Sequence, residues 1–308
     1  MVDMFPVLRV LGILVMIFSL SMGLPLAVSL WTGDGVWHVY PLAMAGTLAA
    51  GAWLWWRLRL FRQELQPRHG VMLVSLVWML LPLFSTVPLM LAAHHIGRPM
   101  SFTHAYFEAV SGLTTTGSTV LVGLDTLPVS VNVWRTFLQW MGGMGILILA
   151  VAVLPLLGVG GSQLFKAEAA GPLKDTKLTP RMTGTAKGLW GVYALFSTLC
   201  GVAYWAAGMA PLDALMHMFS TVSLGGLSSH DQSFGYFQSP LLEAICIVFM
   251  LVASCNFALY FVAIRKGHWH GFWHDPELRA TLFTLVGGGP LVAVLPGVEG
   301  GYGARDAL

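Results

Sequence analysis

Apolar segments long enough to cross a bilayer recur along this chain, at roughly 7–31, 39–56, 71–93, 134–157, 187–208, 240–264 and 279–296. About 20 helical residues rising about 1.5 Å each span a hydrocarbon core of about 30 Å. Inside that core every backbone polar group needs an internal partner, so segments of this length read as helices. The rest of the composition agrees. Of 308 residues, 56% are hydrophobic and 10% are charged, against about 25% charged in an ordinary soluble domain. So few charges cannot cover a water-facing surface, which excludes a cytosolic enzyme and a disordered chain. A net charge of +2 leaves no footprint for nucleic acid. Cys200, Cys246 and Cys255 lie in apolar segments without metal-site or disulfide spacing. The first apolar run is too long for a cleaved leader and lacks a small-residue cleavage site.

The basic residues predict the orientation. Arg9, then Arg57, Arg59, Arg62 and Arg68, then Lys166, Lys174, Lys177, Arg181 and Lys187, then Arg265, Lys266 and Arg279 fall on one side of the alternating spans. These are 13 of the 16 Lys and Arg; Arg98, Arg135 and Arg305 remain. The positive-inside bias makes that side, with the N-terminus, cytoplasmic. Trp53-Leu54-Trp55-Trp56 running into Arg57 fits an interfacial aromatic belt.

Two segments on the other side, about 94–133 and 209–239, are too long for hairpins and too apolar for solvated loops. Phe102, Ala105, Tyr106, Ala109 and Val110 recur at helical spacing in the first, as do Leu212, Leu215, Met216 and Phe219 in the second. Short apolar helices of this kind read as re-entrant. Each then breaks into a polar turn: Thr114-Thr115-Thr116-Gly117-Ser118-Thr119 and Thr221-Val222-Ser223-Leu224-Gly225-Gly226. Gly117 maps to Gly225 at an offset of 108, which also carries Ala105 to Asp213 and Arg135 to Glu243. The two units run in the same sense, so they pack around an axis along the membrane normal. Irregular backbone at membrane depth is tolerated only where protein buries it or it lines a watery path. Glycine permits dihedrals that aim successive carbonyls at one axis, where they can replace the hydration shell of a cation.

Phe107-Glu108-Ala109-Val110-Ser111-Gly112-Leu113 leading into Thr114-Thr115-Thr116-Gly117 resembles the first pore loop of the Trk/Ktr/HKT cation transporters, closest to the bacterial Trk potassium-uptake membrane subunits. Gln139-Trp140-Met141-Gly142-Gly143-Met144-Gly145 is similar to that family's next helix. The loops around Gly158-Val159-Gly160-Gly161, Lys166-Ala167-Glu168 and Gly171-Pro172-Leu173-Lys174-Asp175 are similar too, as is the second turn continuing through Ser229-His230-Asp231. The resemblance runs from near residue 5 to about 285. It implies an all-α polytopic membrane protein: two leading helices (1–69), a first helix–pore-loop–helix repeat (70–180), a second (181–277) and the start of a third (278–308). These two repeats are half of a four-repeat pore. It implies potassium uptake across the bacterial inner membrane through a carbonyl-lined filter, with no enzyme chemistry. The filter residues would be Thr114, Thr115, Thr116 and Gly117, and Ser223, Leu224 and Gly225, with potassium, the transported ion, at Thr115, Thr116, Leu224 and Gly225. Relatives with serine in place of the first filter glycine admit sodium; Gly117 favours potassium. The implied partners are membrane lipid, a second copy of the intact protein, and a cytosolic nucleotide-binding regulatory subunit docking near Lys166–Lys187. The family has four filter loops and this chain shows two before a tail rich in glycine, so the expectation is a truncated or frame-shifted product that gives no potassium-selective conductance alone.

Several residues admit two readings. Glu108 and Asp213, with Gly226, are pore-associated candidates: the carboxylates either concentrate cations at the pore entrance, or cap or orient their short helices, or hydrogen-bond the filter's backing. Asp125 and Asp231 follow the filters and face an outer vestibule, where they either attract cations or are solvated loop residues. Arg135 either snorkels to headgroups or pairs with Asp125 or Glu243. Glu243 needs a bundle partner. Gly142, Gly143 and Gly145 serve close packing or gating flexibility. Asn256 either bonds across helices or faces the pore. His268, His270 and His274 with Trp269 and Trp273 read as an interfacial rim rather than a metal site. The alternative function is a secondary cation transporter with broken helices, against which the same-sense repeat weighs. No nucleotide loop, nucleophile elbow or metalloprotease motif is present.

Overall fold

The computed structural model describes residues 4–61, 67–153, 178–267, 278–284 and 287–288. Among these every regular element is helical. The chain divides into two units, 1–250 and 251–308.

The first unit begins with α1 (Phe5–Ser21) and α2 (Gly23–Thr32), which continue one another across a turn at Met22. The predicted span 7–31 is thus one apolar path made of two helices. α3 (Val39–Leu58) returns antiparallel to it, ending in the exposed Trp53, Trp55 and Trp56 with Arg59 over the Trp56 ring. α4 (Pro67–His95) keeps Pro82 and Pro88 within one helix. Each proline removes a backbone donor, and Ser85 and Thr86 hydroxyls donate to the Leu81 and Leu83 carbonyls nearby.

α5 (Phe102–Leu113) starts at Ser101, whose hydroxyl accepts from the His104 N–H. A 3₁₀ turn, Leu124–Thr126, leads to α6 (Val129–Val153). That helix starts five residues before the predicted span at 134, so Arg135 lies inside it, on its second turn. α7 (Leu178–Ala206), α8 (Pro211–Val222) and α9 (Pro240–Ser254) repeat the pattern of α4, α5 and α6. In the second unit α10 (Phe257–Lys266) follows a break at Cys255, so the run 240–264 is two helices rather than one. The Asn256 side chain accepts from the Ala258 N–H and caps α10.

The core of the first unit joins α1, α3, α4, α5 and α6 around Phe18, Tyr40, Leu89, Ala109, Trp134 and Leu138. The turn before α3 is tied to α6 by Asp34, whose carboxylate accepts from the Ser29 hydroxyl and from the Ser130 N–H at 2.9 Å. Burial opposes ionisation of Asp34, but these hydrogen bonds outweigh it and hold the carboxyl below its ordinary value.

α1 and α3 meet backbone to backbone at Gly12 and Gly51. A Cβ on Gly12 would lie 2.9 Å from the Gly51 carbonyl oxygen, and one on Gly51 would lie 2.8 Å from the Gly12 oxygen. Backbone atoms cannot turn aside as a side chain can. Gly12→Leu or Gly51→Leu is therefore expected to cost about 1–3 kcal/mol, read as a lowered melting temperature in detergent, whereas Gly46→Leu, with open space around it, is expected to leave it near the parent value.

Candidate functional site

α5 and α8 are each 12 residues long and end the same way. The Thr115 N–H donates to the Gly112 carbonyl and the Thr116 N–H to Ser111. In the second repeat Leu224 donates to Thr221 and Gly225 to Ser220. Both are Schellman ends, whose left-handed position is ordinarily glycine. Here it is Thr115 and Leu224, both at φ 55°. Two residues on, Gly117 at φ 76° and Gly226 at φ 79° turn left-handed again. A β-branched threonine in that region is strained, and such strain persists only where the surroundings over-determine it.

This geometry corrects the predicted repeat register. Thr115 and Leu224 are 109 positions apart, as are Gly117 and Gly226. The offset of 108 fails by one residue, because the second turn reads Leu-Gly-Gly where the first reads Thr-Thr-Gly. Thr114, Thr115, Thr116 and Gly117 thus correspond to Ser223, Leu224, Gly225 and Gly226. Thr221 and Val222, read as part of the turn, are the last residues of α8. The two turns touch: a Cβ on Gly117 would lie 2.0 Å from the Gly225 carbonyl oxygen.

Behind the first turn is a buried ion pair. Glu108 and Arg135 have fully buried side chains with Nη2 and Oε1 2.7 Å apart, and Arg135 Nε also donates to that oxygen at 2.7 Å. Arg135 donates further to Thr119 Oγ1 at 3.0 Å, Asn132 Oδ1 at 3.0 Å and the Ser228 carbonyl at 3.4 Å. Glu108 accepts from the Thr119 hydroxyl and, at 3.2 Å, from the Val120 N–H. Arg135 therefore pairs with neither Asp125 nor Glu243. Glu108 orients the backing of the first turn rather than lying open to ions.

The corrected register places His217 at the position of Glu108 and Ser228 at that of Thr119. His217 is 1% exposed. Its Nδ1 lies 2.9 Å from the Asp213 carbonyl, which can only accept, so Nδ1 carries the proton. Its Nε2 then accepts from the Ser228 hydroxyl at 3.0 Å. An imidazole and a serine thus do in the second repeat what a carboxylate and a threonine do in the first.

α6 runs between the two turns. A Cβ on Gly142 would meet the Leu113 carbonyl oxygen at 1.8 Å, and one on Gly143 would meet Ser223 Cβ at 3.1 Å. Adjacent glycines thus admit the end of each pore helix, while the nearest atom to a Cβ on Gly145 is the tip of Trp78, 4.0 Å away. The helix continues through all three, which favours the packing account over a kink.

Beyond the turns the two following loops hold each other. Asp231 accepts from the Gly123 and Leu124 N–H groups at 3.0 and 3.1 Å. Asp125 accepts from the Asp231 N–H at 3.4 Å and from His230 Nδ1. Asp213 caps nothing in its own helix; it accepts from the Ser229 hydroxyl at 2.8 Å and lies 3.2 Å from His230 Nε2, without hydrogen-bond alignment. The His230 ring stacks on Tyr236 at 3.6 Å. Asp125 and Asp231 therefore form the rim that ties these two loops together.

The basic segment from Lys166 to Lys177, the triad His268, His270 and His274 and the glycine-rich tail after 288 lie outside the described residues. Sequence reasoning passed over Asn132, Gln139 and His217. The first two left a signal: with Arg135 they form a polar stripe at i, i+3 and i+7 on an apolar helix. His217 becomes visible only once the register is 109.

Short helices ending in twinned left-handed turns, each between long apolar helices, define an all-helical fold with an internal repeat. The model of the TrkH family, described as a cation transport protein, matches residues 40–295. The Trk system potassium uptake protein TrkH of Halomonas elongata is 48% identical over 281 residues, covering 91% of this chain and 58% of that protein. TrkH of Vibrio parahaemolyticus is 45% identical over 282 residues, covering 91% and 58%. TrkH of Escherichia coli K12 is 44% identical over 281 residues, covering 90% and 58%. The crystal structure of the potassium transporter TrkH from Vibrio parahaemolyticus superposes with a TM-score of 0.87 at 40% identity, covering 99% of this chain and 62% of that one. The chain belongs to the TrkH family of cation transport proteins, and it spans 58% of the length of these curated relatives.

Removing one partner of a buried ion pair strands the other. Arg135→Met is expected to destabilise the fold by about 3–5 kcal/mol. Adding Glu108→Leu is expected to recover much of that loss, in a double-mutant cycle read by thermal unfolding. At the rim, the His230 hydrogen bond holds the Asp125 carboxyl below its ordinary value. A lowered carboxyl contributes above its unfolded pKa of about 4 and loses that contribution as pH falls through the folded value. Protease protection of 227–238 is expected to be full above about pH 4 and to fall below it, and Asp125→Asn is expected to remove that acid-limb dependence.

Proposed function

We propose that this chain supplies two faces of a potassium-conducting pore in a bacterial inner membrane. The observation that carries this reading is the pair of matched turns in contact at Gly117 and Gly225, each with its two left-handed residues. In such turns carbonyls of Thr114, Thr115, Thr116 and Gly117, and of Ser223, Leu224, Gly225 and Gly226, take the place of water around a dehydrated cation. Potassium resides at Thr115, Thr116, Leu224 and Gly225. The relatives above are named as potassium uptake proteins, which supports the ion. Ions move by electrodiffusion, and no bond is made or broken. The basic loops and the N-terminus face the cytoplasm, by the positive-inside rule. The family resemblance supports pairing with a second copy and control by a cytosolic nucleotide-binding subunit.

Two turns cannot close a four-sided site. In a potassium-uptake-deficient bacterium the chain alone is expected to give no rescue. Co-expressed with the remaining segment of Escherichia coli TrkH, it is expected to restore growth at low potassium and to carry rubidium without saturable proton coupling. Gly117→Ser is expected to raise sodium uptake relative to rubidium. Rescue by the chain alone, or equal sodium and rubidium uptake by the complemented parent, would overturn the reading.

A further inference from the structure

Gln139 has no function in the account so far, yet its side chain is fully buried on the α6 face that looks at the second turn. Its Oε1 accepts from the Leu227 N–H at 3.3 Å. Four residues earlier on the same helix Arg135 donates to the Ser228 carbonyl, and Asn132 donates to the Ser229 carbonyl at 3.4 Å. Three consecutive residues beyond the second turn are thus held by three side chains of one helix, at i, i+3 and i+7. That helix belongs to the other repeat.

The same amide presses on the turn itself. A Cβ on Gly225 would lie 2.3 Å from Gln139 Cδ and 2.5 Å from Nε2. Gly225 does not have a positive φ, so the backbone conformation does not demand glycine there; a Cβ would instead force the Gln139 amide to move. Thr116, the corresponding residue of the first turn, is exposed and carries a hydroxyl bonded to that of Thr114 at 2.7 Å. Because Oε1 faces the Leu227 N–H, Nε2 is turned away from it, and among the described residues this buried donor has no partner. A buried donor left unpaired is costly, and an apolar residue of equal volume would remove the cost if packing were the only role.

We propose that Gln139 of the first repeat is the positioning residue of the second repeat's turn: with Arg135 and Asn132 it fixes 225–229, and so sets the cation discrimination of that turn. The positioning half stands on geometry alone, and the discrimination half rests on reading the turns as a filter.

The test uses the full chain in lipid nanodiscs, with hydrogen exchange read on peptides covering 224–229 and 113–118. Gln139→Leu removes the acceptor and keeps the bulk. It is expected to speed exchange at Leu227 at least tenfold while 113–118 is unchanged, and Gln139→Glu, which keeps an acceptor, is expected to stay within about threefold of the parent. Gly225→Ala, which crowds the same amide, is expected to speed exchange across 225–229 while 113–118 is unchanged. Unchanged exchange in Gln139→Leu, or equal acceleration of both peptides, would overturn the positioning role. In the complemented uptake assay Gln139→Leu is expected to lower the rubidium-to-sodium ratio. An unchanged ratio alongside altered exchange would overturn the discrimination half. Absence of any flux from the parent would sink the functional reading and leave the exchange result standing.

Discussion

A guanidinium and a carboxylate that never meet water lie 2.7 Å apart behind the first turn. Neither could be buried alone, since an unpaired charge in that setting costs several kcal/mol. Pairing alone is not enough either: the remaining donors and lone pairs must also be met. They are met by Thr119, Val120, Asn132 and Ser228. Satisfying one ion pair therefore joins the first pore helix, the strand after its turn, the following helix and the second repeat. The irregular backbone of the turns is held where bulk solvent could not hold it.

The second repeat places a different pair at the same positions. His217 and Ser228 replace Glu108 and Thr119, and the arginine that reaches its segment, Arg135 on the Ser228 carbonyl, comes from the first repeat. The two turns consequently share a backbone path while differing in what fixes it. Thr115 and Leu224 carry the same left-handed strain. Around them, the first turn braces itself with its own threonine hydroxyls, and the second is braced by its neighbour. The residue differences between Thr-Thr-Gly and Leu-Gly-Gly follow from that difference in support.

Much of this was legible in residue order. Helical spacing of Phe102, Ala105, Tyr106 and Ala109 located the pore helix, and Thr-Thr-Thr-Gly located its turn, because apolar periodicity and glycine act locally. The register was not legible to the residue. Aligning glycine with glycine matched Gly117 to Gly225, whereas the backbone matches Gly117 to Gly226, and only hydrogen bonding distinguishes a glycine needed for φ from one needed for clearance. The Arg135–Glu108 pair was missed for a related reason. A basic residue near the start of an apolar run looks like a headgroup anchor until the helix is seen to begin at Val129. The stop at Cys255 in the run 240–264 was likewise hidden, since its residues are as apolar as those of an unbroken span.

The support that α6 gives to the neighbouring turn has a direction: the wall belongs to one repeat and the strand it holds to the next. Such a contact is head-to-tail, joining unlike surfaces, and contacts of that kind either close into a ring or leave a free surface at each end. Both free surfaces are visible here among the described residues. Counted from the first residue of each helix, Asn132, Arg135 and Gln139 fall on Glu243, Cys246 and Met250 of α9. There Glu243 is exposed and Met250 is 44% exposed, with Ile247 at 55% beside them. At the other end the strand of the first turn leaves Thr116, Ser118 and Val120 uncovered. An odd-even pairing of repeats would have produced a matched face and a closed dimer of units. A handed contact instead leaves unlike surfaces uncovered at the two ends of the pair.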